Sequence, residues 1–186
     1  MTPGSQEGSP RVEVVHATPE QEPIVANLLE LYAYDFSEFH PMQPGPDGRF
    51  GYKGLSRYWL ETDRLPLLLK ADGRLAGVVL VKRERGVLGT ETVWDVAEFF
   101  VLRMFRRQGV GKAAAHEIWR RYPGKWQVRV MESNYSGYRF WEHTIREFVG
   151  DELRMARFEK GGQPWNLITF QALRAGERRK AGPAGR

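Results

Sequence analysis

The sequence predicts a mixed α/β domain of the α+β kind, with antiparallel pairing dominating its first half. Three observations carry that prediction. Apolar runs at Leu65 to Lys70 and Leu75 to Lys82 flank Ala71-Asp72-Gly73-Arg74, and Asp-Gly between two such runs is a strong hairpin signal. A further run, Trp94 to Val101, is rich in aromatic and β-branched residues and reads as a buried strand. Around these the patterns follow the order strand, helix, helix, three strands, helix, strand, helix, two strands.

Taken in order, residues 1–10 are rich in Gly, Ser and Pro and are expected to be a disordered tail. Arg11 to Val15 alternates as a first strand. Thr18-Pro19-Glu20-Gln21 has the spacing of a capping box, and Pro23 falls within the tolerated first turn. Ile24, Leu28, Leu31, Tyr32 and Phe36 then keep helical spacing to about Glu38. His40 to Gly54 holds three prolines beside Phe50 and Tyr52, and reads as a loop over a pocket mouth. Leu55 to Leu60 is a candidate short helix, and Arg83 to Glu91 a polar turn. The helix opening at Gly109 repeats Val110, Ala114, Ile118 and Tyr122 every four residues. Lys125 to Met131 alternates Trp126, Val128 and Val130 against Gln127 and Arg129, as a strand does. Ser136 to Phe148 is the last helix, and strands at Glu152 to Phe158 and Asn166 to Ala172 close the domain across Gly161-Gly162.

A chain of 186 residues with 41% hydrophobic and 12% aromatic content reads as one globular domain, here bounded at 11–172. It has no cysteine, which excludes disulfides, thiolate metal sites and a cysteine nucleophile. No apolar run approaches 18 residues and no signal-peptide pattern is present, so the expected location is the cytoplasm, with no membrane partner. The net charge of +5 is mostly a property of residues 173–186, which carry +4 and are expected to be a basic, disordered tail. The domain itself holds about +2, so nucleic acid is not the expected partner, although the tail is where such binding would reside.

The chemistry concentrates between Glu98 and Lys112. A strand ends there, a turn carries Arg103, Arg106 and Arg107, and Gly109-Val110-Gly111 opens a helix. Two glycines at a helix start let backbone approach a ligand and direct unpaired N–H groups at it. Those groups, the helix dipole and the guanidiniums suit a phosphate or pyrophosphate. Gly109-x-Gly111-x-x-Ala114 also satisfies a loose dinucleotide fingerprint, but antiparallel strands precede it. Gly111-Lys112 fails as a P-loop because Ala113 stands where Ser or Thr is needed. His16, His40, His116 and His143 are scattered, no pair has ligand spacing, and no metal is expected; His40 alone is a site candidate.

Arg106-Arg107-Gln108-Gly109-Val110-Gly111 resembles the Arg/Gln-x-x-Gly-x-Gly/Ala signature of the GNAT superfamily of N-acetyltransferases. Asn134-Tyr135-Ser136-Gly137-Tyr138-Arg139-Phe140-Trp141-Glu142 is similar to its second motif, Asn-x-x-Ala-x-x-Phe-Tyr-Glu/Lys. The order of elements over 11–172 agrees. The resemblance implies a mixed, mostly antiparallel sheet of about seven strands with about four helices, splayed between the fourth and fifth strands.

It also implies a direct acetyl transfer from acetyl-CoA to a primary amine of a small molecule or peptide. Phe99, Phe100 and Val101 would pair with the pantetheine arm, and Arg106 would join the backbone from Arg107 through Gln108, Gly109, Val110 and Gly111 to Lys112 around the pyrophosphate. Asn134 would bond the pantetheine, and Phe140 and Trp141 would flank the thioester. Trp141 departs from the family's usual Tyr, and indole cannot supply a proton to a leaving thiolate. A thiol with pKa ~8.5 needs only about 2 kcal/mol of help at neutral pH, from Tyr138 or water. Gly137 in place of Ala weakens its helix by ~1 kcal/mol.

An alkyl ammonium with pKa ~10.4 must lose a proton before attack. Glu98 is the first candidate base and Asp95 the second. Regular alternation puts them on opposite faces, so both serve only if the strand bulges. Tyr34, Asp35, Glu38 and Tyr52 are candidates to line the amine pocket. The alternative is a CoA-binding regulator of the same fold with impaired catalysis, prompted by Trp141. The acceptor itself and the oligomeric state stay open, a homodimer included.

Overall fold

The computed structural model describes residues 9–174, 176 and 177. Most of the tails expected over 1–10 and 173–186 lies outside the described residues. Val12–His16 forms β1, Glu22–Phe36 α1, Arg57–Leu60 α2, Arg64–Ala71 β2, Arg74–Arg85 β3 and Thr92–Val101 β4. Val110–Arg121 follows as α3, then Gly124–Met131 as β5, Tyr135–Val149 as α4, Leu153–Lys160 as β6 and Gln163–Ala172 as β7. The strands make one sheet in the order β1-β2-β3-β4-β5-β7-β6. Among the described residues only β4 and β5 pair in parallel.

The hairpin turn between β2 and β3 is made where the sequence places it. Asp72 and Gly73 have φ of 49° and 74°, both left-handed, as a two-residue type I′ turn requires. The expected polar turn at Arg83 is displaced. β3 continues to Arg85, paired with Thr92, because charged residues can extend a ladder where one face meets water.

Both faces of the sheet are covered, and β3 shows how. Val79 and Val81 join a core with Ile118, Trp119, Trp126, Ile145 and Ile168 under α3 and α4. Val78 and Leu80, their alternating neighbours, join a second core with Val25, Leu28 and Leu29 of α1. Gly77 on the same strand permits the close approach of β4, since a Cβ there would stand 2.1 Å from the Phe100 carbonyl oxygen.

Two irregularities of β4 create the site. Leu80 pairs with Glu98 but Val81 pairs with Val96, so Ala97 is an extra residue in a β-bulge. The bulge reverses alternation: Val96 packs with Phe99 on the α3 and α4 side, while Ala97 and Phe100 face α1. Parallel pairing with β5 also stops early, covering only Trp94 to Val96 against Trp126 to Val128. Beyond Val96 the two strands part, which opens the sheet between its fourth and fifth strands.

Candidate active site

The first half of the site is the junction from β4 to α3. After β4 the chain makes a 3₁₀ turn at Arg103–Phe105 and continues in extended backbone through Arg106. It then curls through two left-handed residues, Arg107 at φ 61° and Gly109 at φ 82°. A left-handed arginine is strained, and such residues cluster where a loop must hold a particular shape. Gly109 has no side chain to cap α3, so the first N–H groups of the helix are left for another partner. Phe99, Phe100, Val101, Arg103, Arg106, Arg107 and Gly111 line a groove of about 480 Å³, closed on its far side by Asn134, Phe140 and Trp141.

The remaining residues of this motif act from behind the groove. Gln108 Nε2 donates to the Met104 carbonyl at 2.6 Å, which fastens the loop. Val110 is buried in the core, and the Lys112 ammonium pairs with Glu147 of α4 at 3.0 Å. Arg106 Nε donates to the Val101 carbonyl at 2.7 Å and its Nη2 to Asp35 Oδ2 at 2.5 Å. Arg103 bonds the second oxygen of Asp35 at 2.7 Å.

Asn134 caps α4, its Oδ1 accepting from the Gly137 N–H at 2.8 Å. This explains Gly137: a Cβ there would lie 2.6 Å from Asn134 Nδ2. Phe140 rests on Gly111, where a Cβ would meet its ring at 3.2 Å. Trp141 is buried, edge-on to Phe99 with centroids 4.8 Å apart.

The second half is an inner cavity of about 430 Å³ at the parting of β4 and β5. It shares Tyr32, Phe36, Phe99, Asn134 and Trp141 with the groove, so the two spaces meet at those side chains. Glu98 lines it. Burial pushes the Glu98 carboxyl above the usual carboxylate range, against hydrogen bonds from Tyr32 and Tyr52 and the charge of Arg129. The Tyr52 hydroxyl donates to Glu98 Oε1 at 3.0 Å. The loop carrying Tyr52 is held down by Glu30, which accepts from the Phe50 and Gly51 N–H groups at 2.7 and 2.8 Å. His40 and Met42 of that loop also line the cavity, so the 40–54 segment lies where a pocket-mouth loop is expected.

Several expected site residues are placed elsewhere. The bulge does bring Asp95 to the same face as Glu98, but Asp95 is fully buried beneath the cavity. Its carboxylate accepts from Arg129 Nε and Nη2 at 2.9 and 2.6 Å and from Gln127 at 3.0 Å. Burial raises its pKa while the Arg129 fork opposes the rise. Both of its oxygens are engaged by these partners.

Tyr138 is turned away from the groove. Its hydroxyl lies 3.1 Å from the Met155 sulfur of β6, in a separate cavity that Tyr135, Arg157 and Asn166 also line. Tyr34 is 66% exposed and lines neither space. Asp35 and Glu38 stand in the groove, not in the inner cavity. Of the four acceptor candidates only Tyr52 lines the cavity beside Glu98.

Sequence reasoning missed Tyr32, Lys82, Arg129, Lys160 and Trp165. Tyr32 was legible in principle. A tyrosine on the buried stripe of a helix needs a partner for its hydroxyl, and Glu98 is the carboxylate it meets.

Among the described residues no group of three or more His, Asp or Glu is placed to hold a metal, and no helix is long and apolar enough to cross a membrane. No curated protein matches the chain. Among solved structures it superposes on an acetyltransferase from Thermus thermophilus with TM-score 0.62 and 14% identity, covering 88% of this chain and 99% of that one. Arabidopsis thaliana NAA60 in complex with acetyl-CoA gives 0.56 and 15%, over 87% and 98%. Spermidine N-acetyltransferase from Vibrio cholerae in complex with CoA and spermine gives 0.59 and 9%, over 87% and 95%. At these identities the superpositions show the shared fold alone. The family model for the acetyltransferase (GNAT) family matches residues 25–144, across both parted strands and both motifs, and the chain belongs to that family.

Proposed function

We propose that this chain is an acetyl-CoA-dependent N-acetyltransferase that moves acetyl directly onto a primary amine of a small molecule or peptide. The observation that carries the reading is the meeting of two spaces at Phe99, Asn134 and Trp141, with a buried carboxylate, Glu98, on one of them. That geometry suits a donor and an acceptor held at once, so no covalent enzyme intermediate is needed.

The groove fits the nucleotide-bearing donor. Open N–H groups at the start of α3, with Arg107 beside them, would take the diphosphate, and β4 beyond Val96 would offer its unpaired edge to the amide-bearing arm. When bound, acetyl-CoA supplies an activated acyl carbon. Glu98 removes a proton from the acceptor ammonium, for which a raised pKa is an advantage, since base strength grows with it. The neutral amine would then form the C–N bond to the acyl carbon, and as the C–S bond breaks the nitrogen would shed its second proton, through water, to the departing thiolate. A backbone N–H near Phe100 or Val101 would stabilise the oxyanion. Tyr32 and Tyr52 hold Glu98 in place through the cycle.

Calorimetry with CoA, followed by thiol release over a panel of amines, tests this. CoA binding with amine-dependent release is the expected result; absence of CoA binding would overturn it. The alternative of a CoA-binding regulator has one observation in its favour, that Tyr138 does not face the groove. Binding of CoA with no release from any amine would select it.

A further inference from the structure

Tyr52 reaches Glu98 from irregular backbone. Gly51 before it and Gly54 after it both take left-handed φ, 65° and 74°, so local dihedral preference does not aim its ring. A support from outside the loop is present. The two N–H groups directly before Tyr52, those of Phe50 and Gly51, donate one to each oxygen of the Glu30 carboxylate, at 2.7 and 2.8 Å. Hydrogen bonds to an ionised acceptor are stronger than neutral ones, and a pair of them fixes orientation as well as position.

Glu30 is suited to this by where it stands. It lies within α1 beside Leu28 and Leu29, which are buried in the second core. Its side chain is 23% exposed, and Arg49 of the loop stands 3.9 Å away. The contacts therefore run from a packed helix, through one carboxylate and two amides, to the ring of the next residue and on to Glu98. Glu30 lines neither the groove nor the inner cavity, so its place is behind the site and not against a reactant.

We infer that Glu30 is a positioning residue for the transfer, holding the Tyr52 hydroxyl on Glu98 through the Phe50 and Gly51 amides. Its kinetic consequence rests on the acyl-transfer reading; its geometry rests on these three hydrogen bonds. The consequence has a sign. The Tyr52 bond favours the ionised carboxyl, so a Tyr52 that drifts lets the Glu98 pKa rise further. Tyr32 of α1, Arg129 of β5 and Asp95 of β4 also act on Glu98, and Tyr58 of α2 acts on Tyr52. Lys82 of β3, Lys160 of β6 and His40 line the same cavity. Of these groups His40 shares the segment that Glu30 holds, so a double substitution is used to isolate Tyr52.

The test is the pH profile of kcat/KM for the full chain and for Glu30→Ala, Glu30→Gln, Tyr52→Phe and the double variant of Glu30→Ala with Tyr52→Phe. Glu30→Ala should lower kcat/KM several-fold near neutrality and move the acid limb to higher pH by up to about one unit. Glu30→Gln, which keeps an acceptor oxygen for one of the two N–H groups, should fall between it and the parent, and it carries the test should the alanine variant not fold. In the Tyr52→Phe background Glu30→Ala should move the limb no further. An unmoved limb, a rise in acceptor KM alone, or shifts that add in the double variant would overturn the inference. If no amine is acetylated, the transfer reading fails, and the Glu98 carboxyl is instead titrated by carbon-13 NMR, with Glu98→Gln identifying its signal. A higher pKa in Glu30→Ala that does not add to the effect of Tyr52→Phe would still support the positioning role. An unchanged pKa would sink it.

Discussion

The Tyr52 hydroxyl and the Glu98 carboxylate are joined by a hydrogen bond of 3.0 Å across 46 residues of sequence. The bond ties a loop of prolines and glycines to the bulge of the central strand. It also opposes the burial that raises the Glu98 pKa. Tyr52→Phe should therefore move the acid limb of the kcat/KM profile to higher pH and slow the reaction several-fold near neutrality. An unmoved limb would remove Tyr52 from the site.

Glu98→Gln should lower turnover by about 10²–10⁴ with little change in CoA affinity, as loss of a general base does. Stability gives a second reading. A carboxyl whose folded pKa is raised stabilises the fold below its unfolded value, near ~4.3, and loses that contribution as pH rises through the folded value. The variant's melting temperature should then exceed the parent's at neutral and alkaline pH, and the gap should close toward pH 4. A gap that widens in acid would contradict the assignment.

Asp95→Asn should be a stability variant. It leaves the Arg129 guanidinium without its bidentate partner, and breaking a buried pair costs about 3–5 kcal/mol. Glu84, 3.5 Å from the same guanidinium, should hold the loss to the lower end. Denaturant unfolding checks this, and a variant with full stability and no turnover would restore Asp95 as a candidate base.

The two motif glycines should separate. Gly109→Ala forces an alanine to φ 82° and should cost about 1 kcal/mol of stability. Gly111→Ala meets Phe140 at 3.2 Å on the groove wall, so it should weaken CoA binding about tenfold with a smaller change in melting temperature. The measurements are thermal unfolding and CoA titration on both variants.

Asp35 sets the charge of the groove mouth. Burial works to raise its pKa, but Arg106 and Arg103 hold it below the usual range. Asp35→Asn removes a carboxylate from beside the expected phosphates and frees two guanidiniums, so CoA should bind a few-fold tighter at low salt, with the gain fading at high salt. The sign for stability is the reverse of Glu98. A depressed carboxyl stabilises above its unfolded pKa, ~3.9, and loses this as pH falls through the folded value. The variant should melt slightly lower at neutral pH and match the parent in strong acid.

Much of the groove was legible because it is local. Gly109, Gly111 and Asn134 act through backbone at helix starts, and such geometry follows from residue type and spacing. Motif spacing does not state that the Tyr138 hydroxyl meets Met155 of β6 rather than the groove. The inner cavity was hidden for a different reason. Tyr32, Arg129, Lys160 and Trp165 come from four elements, and their convergence depends on the parting of β4 and β5.

Residue order alone dictated the hairpin at Asp72-Gly73, the succession of strands and helices, and the glycine-opened helix of the GNAT signature, because these depend on dihedral preference and periodicity over a few residues. Which carboxylate lines the cavity depends on packing across the sheet. One extra residue at Ala97 turns Asp95 and Glu98 to the same face, and the surrounding elements then give Arg129 to one and the cavity to the other. A bulge is set by the partner strand's register, which no local window contains.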